Sequence, residues 1–582
     1  MNSLLSNIRK AGSGWISYLL LFLGCFLFHY LILFSVPYFA DMSDSFYHAK
    51  MGELYSQGIF PKSFPWLYFT TLHEHFVNHH FLFHVALVPF IWLGNVVHHF
   101  FSTVEATVWG VKIAIVTFLS TATLLFYVGL EKLSIKQRWL WMVLFFSLPV
   151  DFFFRHYAIR VQSFSLCFLL LGIYAAWEKR YKTLFVISFF YAWVYGGFFY
   201  LPIAVGILFL VEGLQEKKWD WKLILASFGV AAGFIISPNF PYNFSFMLQQ
   251  LFDSGLGMKI TVGGEWYPYE LKDFAFMSMG PLLLLLPSTL YMGYMAFTKQ
   301  WKFSSRVVAL FVFSLLFLAL TLKSKRFIEY WPIFSMLGSA GILGPIFDKY
   351  AVIVKRGFSL VLCVLGFVFI LYLWGVPYFY FSYISKLLFA KYLPLVTGIG
   401  IVVFLIGIMS YGEELLGEMK KLKKTGMVLV VVALIGLGTI MSSIPYGFAK
   451  TQGYISYYNP SQVRDARKTM ECIKKEAKEG DIIFTDDWDI FPLYFFTNSK
   501  NYYIVGLDPI FLYNFDRDLY DTFVSITTGR FETGKIIDTL KTKFHATYVI
   551  TDRDHKELRG QMETLVPESV RCLSSTFVIH KI

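Results

Sequence analysis

Residues 15–58 read WISYLLLFLGCFLFHYLILFSVPYFADMSDSFYHAKMGELYSQG. The stretch 15–36 holds no Asp, Glu, Lys or Arg and is long enough to cross a bilayer core, which takes about 20 apolar residues. It is longer than a signal-peptide core and has no small-residue cleavage site, so it is read as a first membrane span. Two carboxylates, Asp41 and Asp44, follow at headgroup level, where an ionised side chain is costly unless it has a partner or a task. An apolar span that ends in an acidic amphipathic stretch sets the reading of the rest. The chain is a polytopic α-helical membrane protein whose chemistry gathers at one membrane face.

The composition agrees. Of 582 residues, 56% are hydrophobic and 15% charged, with mean hydropathy +0.55, a balance that makes lipid the solvent. The 64 Phe and 36 Tyr are spread through the apolar runs as helix-packing and interfacial bulk. A net charge of +12 would point to nucleic acid in a soluble protein. Here the basic residues fall in short loops between apolar runs, which is an orientation signal, so no nucleic-acid partner is expected.

Apolar runs near 14–36, 104–130, 139–150, 162–177, 183–198, 200–214, 222–237, 280–298, 307–322, 330–346, 357–375, 391–410 and 426–445 predict about 13 transmembrane helices. Basic residues then cluster at Arg9 and Lys10 and in loops 132–138, 179–182, 217–222, 299–306, 349–356 and 420–424, all on one side. The positive-inside rule makes that side, and the N-terminus, cytoplasmic. The further apolar stretch 81–93 would invert this parity if it crossed. It holds His84 and Pro89, and it is expected to lie in the outer interface as an amphipathic helix.

Residues 1–446 then form a transmembrane domain with large outer loops 37–103 and 238–279, and 447–582 form a small extracytoplasmic α/β domain. In the latter, DIIFT, NYYIVG and HATYVIT read as strands between helical stretches. Cys25, Cys167 and Cys363 lie in apolar runs as packing residues, whereas Cys472 and Cys572 share the α/β domain, where an oxidising compartment would allow them to pair.

Four polar groups collect on the outer side. Asp44 opens the amphipathic stretch of the first outer loop, whereas Asp41 fits a turn; capping of free amides is the plain alternative for both. In SLPVDFFFRHYAIRVQS (147–163), Asp151, Arg155, His156 and Arg160 crowd the ends of two short spans, and Asp151 and Arg155 are spaced for an internal ion pair. In KITVGGEWYPYE (259–270), two glycines precede Glu265 and let the backbone approach a ligand. LKSKRFIEYWP (322–332) is the basic exception on the outer side. Arg326 offers a fork matched to phosphate oxygens, helped by Lys323 or Lys325, with pairing to Glu329 or to lipid headgroups as the alternative. His75 and His79 have i, i+4 spacing, but no HExxH is present and a structural role is the preferred reading.

With Asp44, Ser45, Phe46, Tyr47 and His48, the first outer loop resembles the D-x-x-Y-H motif of the GT-C superfamily of membrane glycosyltransferases, most closely the catalytic subunit of oligosaccharyltransferase and its bacterial and archaeal relatives. Asp151 stands where that family carries its second acidic motif, with Phe at 153 instead of a second acid. Thr261 and Glu265 are a loose counterpart of its Ser/Thr-x-x-Glu motif. DDWDIFPLYFF (486–496) looks like a reduced W-W-D-Y-G motif centred on Trp488 and Asp489.

The resemblance implies a glycosyltransferase at the outer face of a prokaryotic plasma membrane, taking its sugar from a polyprenyl phosphate or pyrophosphate donor. Asp44 would act on the acceptor. Asp44, Asp151 and Glu265 would hold a divalent metal, magnesium or manganese. Arg326, Lys325 and Arg160 would bind the donor phosphate, and Trp488, Asp489, Tyr47 and His48 would receive a glycan, lipid or protein acceptor. A transporter or flippase of the same lipid is the alternative; it calls for polar or broken helices at the bilayer midplane and similar halves, and no inverted repeat is visible. A glycan-binding scaffold would explain the Trp-bearing domain and leave the acidic loop unexplained.

Overall fold

The computed structural model describes residues 2–41, 43–250, 252–253, 260, 263–357, 359, 417, 436, 451, 453 and 460–582. The expected span 391–410, nearly all of 357–375 and 426–445, the loop 420–424, Cys363 and Thr261 lie outside these residues. The helices of the membrane part are α1 (Asn2–Leu33), α2 (Asp44–Ser56), α3 (Phe81–Phe100), α4 (Ala106–Lys132), α5 (Arg138–Phe145), α6 (Val150–Tyr157), α7 (Gln162–Trp177) and α8 (Tyr181–Val194). They continue with α9 (Tyr200–Glu216), α10 (Leu225–Ile235), α11 (Tyr242–Gln249), α12 (Leu271–Met277), α13 (Met279–Phe297), α14 (Ser305–Lys323) and α15 (Trp331–Lys349).

On α1, Trp15, Leu19, Leu23, Leu27 and Leu31 recur every four residues and are exposed, whereas Cys25, His29 and Leu33 recur at the same spacing and are buried. One apolar stripe facing outward and one facing protein is the pattern of a helix solvated by lipid. Five described helices are long and apolar enough to cross a membrane, or up to seven when each sharply bent pair counts as one span. This makes the chain a helical integral membrane protein. Several of the expected runs proved too short to cross alone. The run 139–150 divides between α5 and α6 at Pro149, and α8 and α10 have only 14 and 11 residues.

The stretch read as an interfacial helix ending at residue 93 continues to Phe100 and reaches span length as α3. It runs antiparallel along the first half of α4: Phe83 meets Phe118, and Gly94 lies against the Ala106 carbonyl. A Cβ at Gly94 or Gly110 would collide with the facing backbone, so glycine sets this approach, as small residues do where helices meet in lipid.

The α/β domain begins, among described residues, with α16 (Pro460–Glu476). Strands β1 (Ile482–Thr485), β2 (Tyr502–Tyr503), β3 (Ala546–Thr551), β4 (Val570–Leu573) and β5 (Val578–Lys581) form one sheet in the order β2-β1-β3-β5-β4. β1 lies parallel to β2 and β3, and β5 antiparallel to β3 and β4. Cys472 on α16 is bonded to Cys572 on β4. The first outer loop joins this sheet: Leu67 bridges Tyr503, and the Trp66 indole donates to the Ser499 carbonyl at 2.7 Å. Phe496 packs on Phe39 and Phe46, so the loop is the seat on which the α/β domain rests.

Candidate active site

Between α6 and α7 the chain turns by 106° over residues 158–161. The turn places Arg155 at the end of α6, Arg160 in the bend and Gln162 at the head of α7. Arg160 reaches three carboxylates: Asp41 Oδ2 at 3.1 Å, Asp44 Oδ2 at 3.2 Å and Glu265 Oε2 at 3.4 Å. Ser45 fixes the same junction, its hydroxyl accepting from the Ile159 amide and its own amide donating to Asp41. Asp41, expected as a turn residue, is thus a working partner of Arg160.

The segment before α12 brings Glu265 to the centre. Its Oε2 lies 2.8 Å from Arg155 and its Oε1 lies 3.6 Å from Arg326. The Ser324 hydroxyl donates to the Glu265 carbonyl, and the Lys325 amide donates to Tyr267, which pins the loop to the turn between α14 and α15. Arg326 stacks on Trp266 at 4.7 Å. Burial alone would raise the Glu265 carboxyl, but Arg155, Arg326 and Arg160 together hold it well below the usual carboxylate range. Glu329, the alternative partner named for Arg326, is fully buried and accepts from Arg155 at 2.5 Å and from Gln162 at 3.1 Å.

Asp44 stands at the open edge of this network. Crowding by protein pushes its carboxyl above the usual range, against the pull of Arg160 and with help from Asp41 and Glu265. Its side chain still shows 39% of its surface, which moderates the burial effect and leaves the group reachable.

Asp151 is not part of the cluster. Tyr269 donates to it at 2.7 Å, and its expected ion pair with Arg155 gives way to the carboxylates of Glu265 and Glu329. Asp44, Asp151 and Glu265 therefore do not converge as ligands: Glu265 is engaged by three guanidiniums and Asp151 by a phenol. Among described residues, the group of carboxylates and imidazoles that could hold a metal lies elsewhere, in the α/β domain, where ligand atoms of Asp486, Asp552 and His555 all fall within 4.8 Å of one another. Lys325 sits over the Tyr269 ring at 5.6 Å, next to Arg326.

Of the four expected acceptor residues, two face the site. The Trp488 ring lies beside Gly263, where an added Cβ would come within 3.9 Å of it. The carboxyl of Asp489 is pushed up to about 7 by the surrounding walls, by Asp487 and by Asp44 itself, which places it beside the cluster, although its outer surface is exposed. Tyr47 and His48 turn inward. Both are buried; His48 is hydrogen-bonded to His84 at 2.8 Å, and His84 to Asn78. Residues 71–79 form turns and irregular backbone, not a helix, so His75 and His79 share no helical face; His75 stacks on Tyr242 and His79 packs at a tilt against Phe246.

No family model matches the chain, and no curated protein matches it in sequence. Among solved structures it is similar to the oligosaccharyltransferase AglB from Archaeoglobus fulgidus in complex with an inhibitory peptide and a dolichol-phosphate. The two are 13% identical with a TM-score of 0.56, over 93% of this chain and 70% of that one. The apo form of the A. fulgidus enzyme matches at 13% identity and a TM-score of 0.52, over 91% and 69%. ArnT from Cupriavidus metallidurans bound to undecaprenyl phosphate matches at 11% identity and a TM-score of 0.50, over 98% of each chain. At such identities the likeness is one of fold, and over most of its length the chain is built on a GT-C-like fold.

Proposed function

We propose that the protein is a glycosyltransferase of GT-C type that moves a sugar from a polyprenyl phosphate or pyrophosphate donor to an acceptor at the outer face of a prokaryotic plasma membrane. The observation that carries this is the meeting of Asp44, Glu265, Arg160 and Arg326, four residues far apart in sequence, in one ion-pair network beside Asp489. The relatives with bound dolichol-phosphate and undecaprenyl phosphate support a lipid-phosphate donor.

Asp44 takes the proton of the acceptor nucleophile as it attacks the sugar C1, and its raised pKa suits a general base. The bond from C1 to the phosphate oxygen breaks, and the electron pair leaves with the phosphate, where Arg326 and Lys325 meet the developing charge. Arg160, already engaged by three carboxylates, orients Asp44 rather than binding the donor. No step passes through a metal at this site, because its carboxylates are held by arginines. The Cys472–Cys572 bond supports placing the α/β domain outside the cytoplasm.

The test is transfer of radiolabelled sugar from lipid carrier to acceptor by purified protein. An Asp44→Asn variant that folds normally should lose at least a hundredfold in rate; wild-type turnover by that variant would remove Asp44 from the mechanism. Movement of intact lipid across sealed vesicles, with no glycosidic bond changed, would favour transport instead.

A further inference from the structure

β1 and β3 run side by side and parallel, and each is followed by an aspartate, Asp486 and Asp552. The carboxyl ends of neighbouring parallel strands are where open α/β sheets hold ligands. His555 folds over both, its Nδ1 3.0 Å from Asp552 Oδ1 and 3.5 Å from Asp486 Oδ2. Asp552 Oδ1 also accepts from the amides of Asp554 and His555, so its carboxylate is held in place.

Acidic side chains outnumber the one imidazole at this point. Asp486 and Asp552 are buried, and Asp487 adds a third negative charge close enough to act on both Asp486 and His555. Two buried polar atoms from different elements also have no hydrogen-bond partner among the described residues: Asp486 Oδ1 and the hydroxyl of Tyr494. Tyr494 is wholly buried and sits where Asp486, Asp552 and Asp487 all act on it. A buried carboxylate oxygen and a buried phenol left without partners beside clustered acids mark a place for a bound cation.

We propose that Asp486, Asp552 and His555 bind one divalent cation, and that this ion fixes the segment carrying Trp488 and Asp489 against the membrane domain. Two carboxylates with one imidazole suit manganese or zinc better than calcium or magnesium, which favour all-oxygen shells.

The test uses the full chain in detergent, stripped with chelator and dialysed against manganese chloride or zinc chloride alone. One equivalent per chain is expected, with hydrogen exchange of residues 486–490 slowed when the metal is added. Asp552→Asn and His555→Gln should each weaken binding at least tenfold and abolish the slowing. His555 is part-exposed, so its variant serves if Asp552→Asn misfolds, with an intact Cys472–Cys572 bond as the check on folding. Asp44→Asn should keep the equivalent. Less than a tenth of an equivalent, tighter binding of calcium than of manganese or zinc, or loss of the ion in Asp44→Asn but not in His555→Gln would each overturn the proposal.

Discussion

Replacing Glu265 with glutamine should destabilise the protein and at the same time tighten its hold on an anionic donor. Glu265 faces Arg155, Arg160 and Arg326 at 2.8, 3.4 and 3.6 Å. At an effective dielectric of about 20, each pair is worth roughly 5 kcal/mol before desolvation is subtracted. Removing one partner from a buried ion pair costs about 3–5 kcal/mol. The Glu265 side chain is 27% exposed, which places the expected loss near the low end, about 3 kcal/mol. Donor affinity moves the other way. The network holds Asp41, Asp44, Glu265 and Glu329 against Arg155, Arg160 and Arg326, and the variant loses one of the negative charges and frees the Arg326 fork. A gain of about tenfold in affinity for polyprenyl phosphate, about 1.4 kcal/mol, is expected. The acid limb is a further check. The folded carboxyl lies below its unfolded value, so its stabilisation is complete above the ordinary glutamate range and lost only as pH falls through the depressed value. The stability gap between the two proteins should be flat from neutrality to mildly acidic pH and close in strong acid. Thermal unfolding in detergent and titration with the lipid phosphate measure both effects, and a variant equal to wild type in stability and in donor affinity would refute the reasoning.

Gly110→Ala should cost about 2–3 kcal/mol, because its Cβ would meet the backbone of Phe90 and Ile91 rather than a movable side chain; a thermal midpoint like that of wild type would show that the α3–α4 contact is looser. Cys472→Ser opens a 100-residue loop, a loss of about 3–5 kcal/mol in chain-entropy terms, read as earlier unfolding of the α/β domain that reductant reproduces in wild type only. The Asp489 carboxyl is raised to about 7, so the folded state binds the extra proton, and stability should fall as pH climbs from the unfolded aspartate range, about 4, to 7, then level off. Asp489→Asn should remove that decline, and an unchanged profile would take Asp489 out of the acidic recess.

The polar clusters were legible from sequence because charge at a membrane interface is expensive, so each acidic or basic outlier in an outer loop advertised a partner. What sequence could not supply was who pairs with whom. Asp151 and Arg155 have the spacing of a helical ion pair, yet Arg155 turns to Glu265 and Glu329, which come from loops more than a hundred residues away. Asp41 looked local because its nearest apparent task was a turn; the bend at 158–161 that delivers Arg160 to it is a tertiary event. Composition likewise marks apolar runs without registering that the run 139–150 ends its first helix at Phe145 and enters a second only after Pro149, which then bends sharply into the helix of run 162–177. The Asp486, Asp552 and His555 group left a weaker trace. Its signal was an aspartate directly after each of two strands, visible only once the strands are known to be parallel neighbours.

The bend that breaks α6 from α7 ties the fold to the chemistry. A straight helix through this region would bury Arg155 and Arg160 among lipid-facing side chains, at a cost no single carboxylate offsets. Breaking the helix turns both guanidiniums inward, where the first and second outer loops and the turn before α15 each contribute an acid. Three segments that share no local interaction are thereby fastened to one another by charge. The arrangement holds Asp44 in a fixed direction while leaving it accessible, and it keeps Arg326 close to, but only loosely paired with, its carboxylate at 3.6 Å. A guanidinium held that loosely can exchange Glu265 for a phosphate at small cost, whereas Arg155, bound tightly to a fully buried Glu329, cannot. On the proposed reaction, this difference in pairing assigns Arg326 to the donor phosphate and Arg155 to the frame.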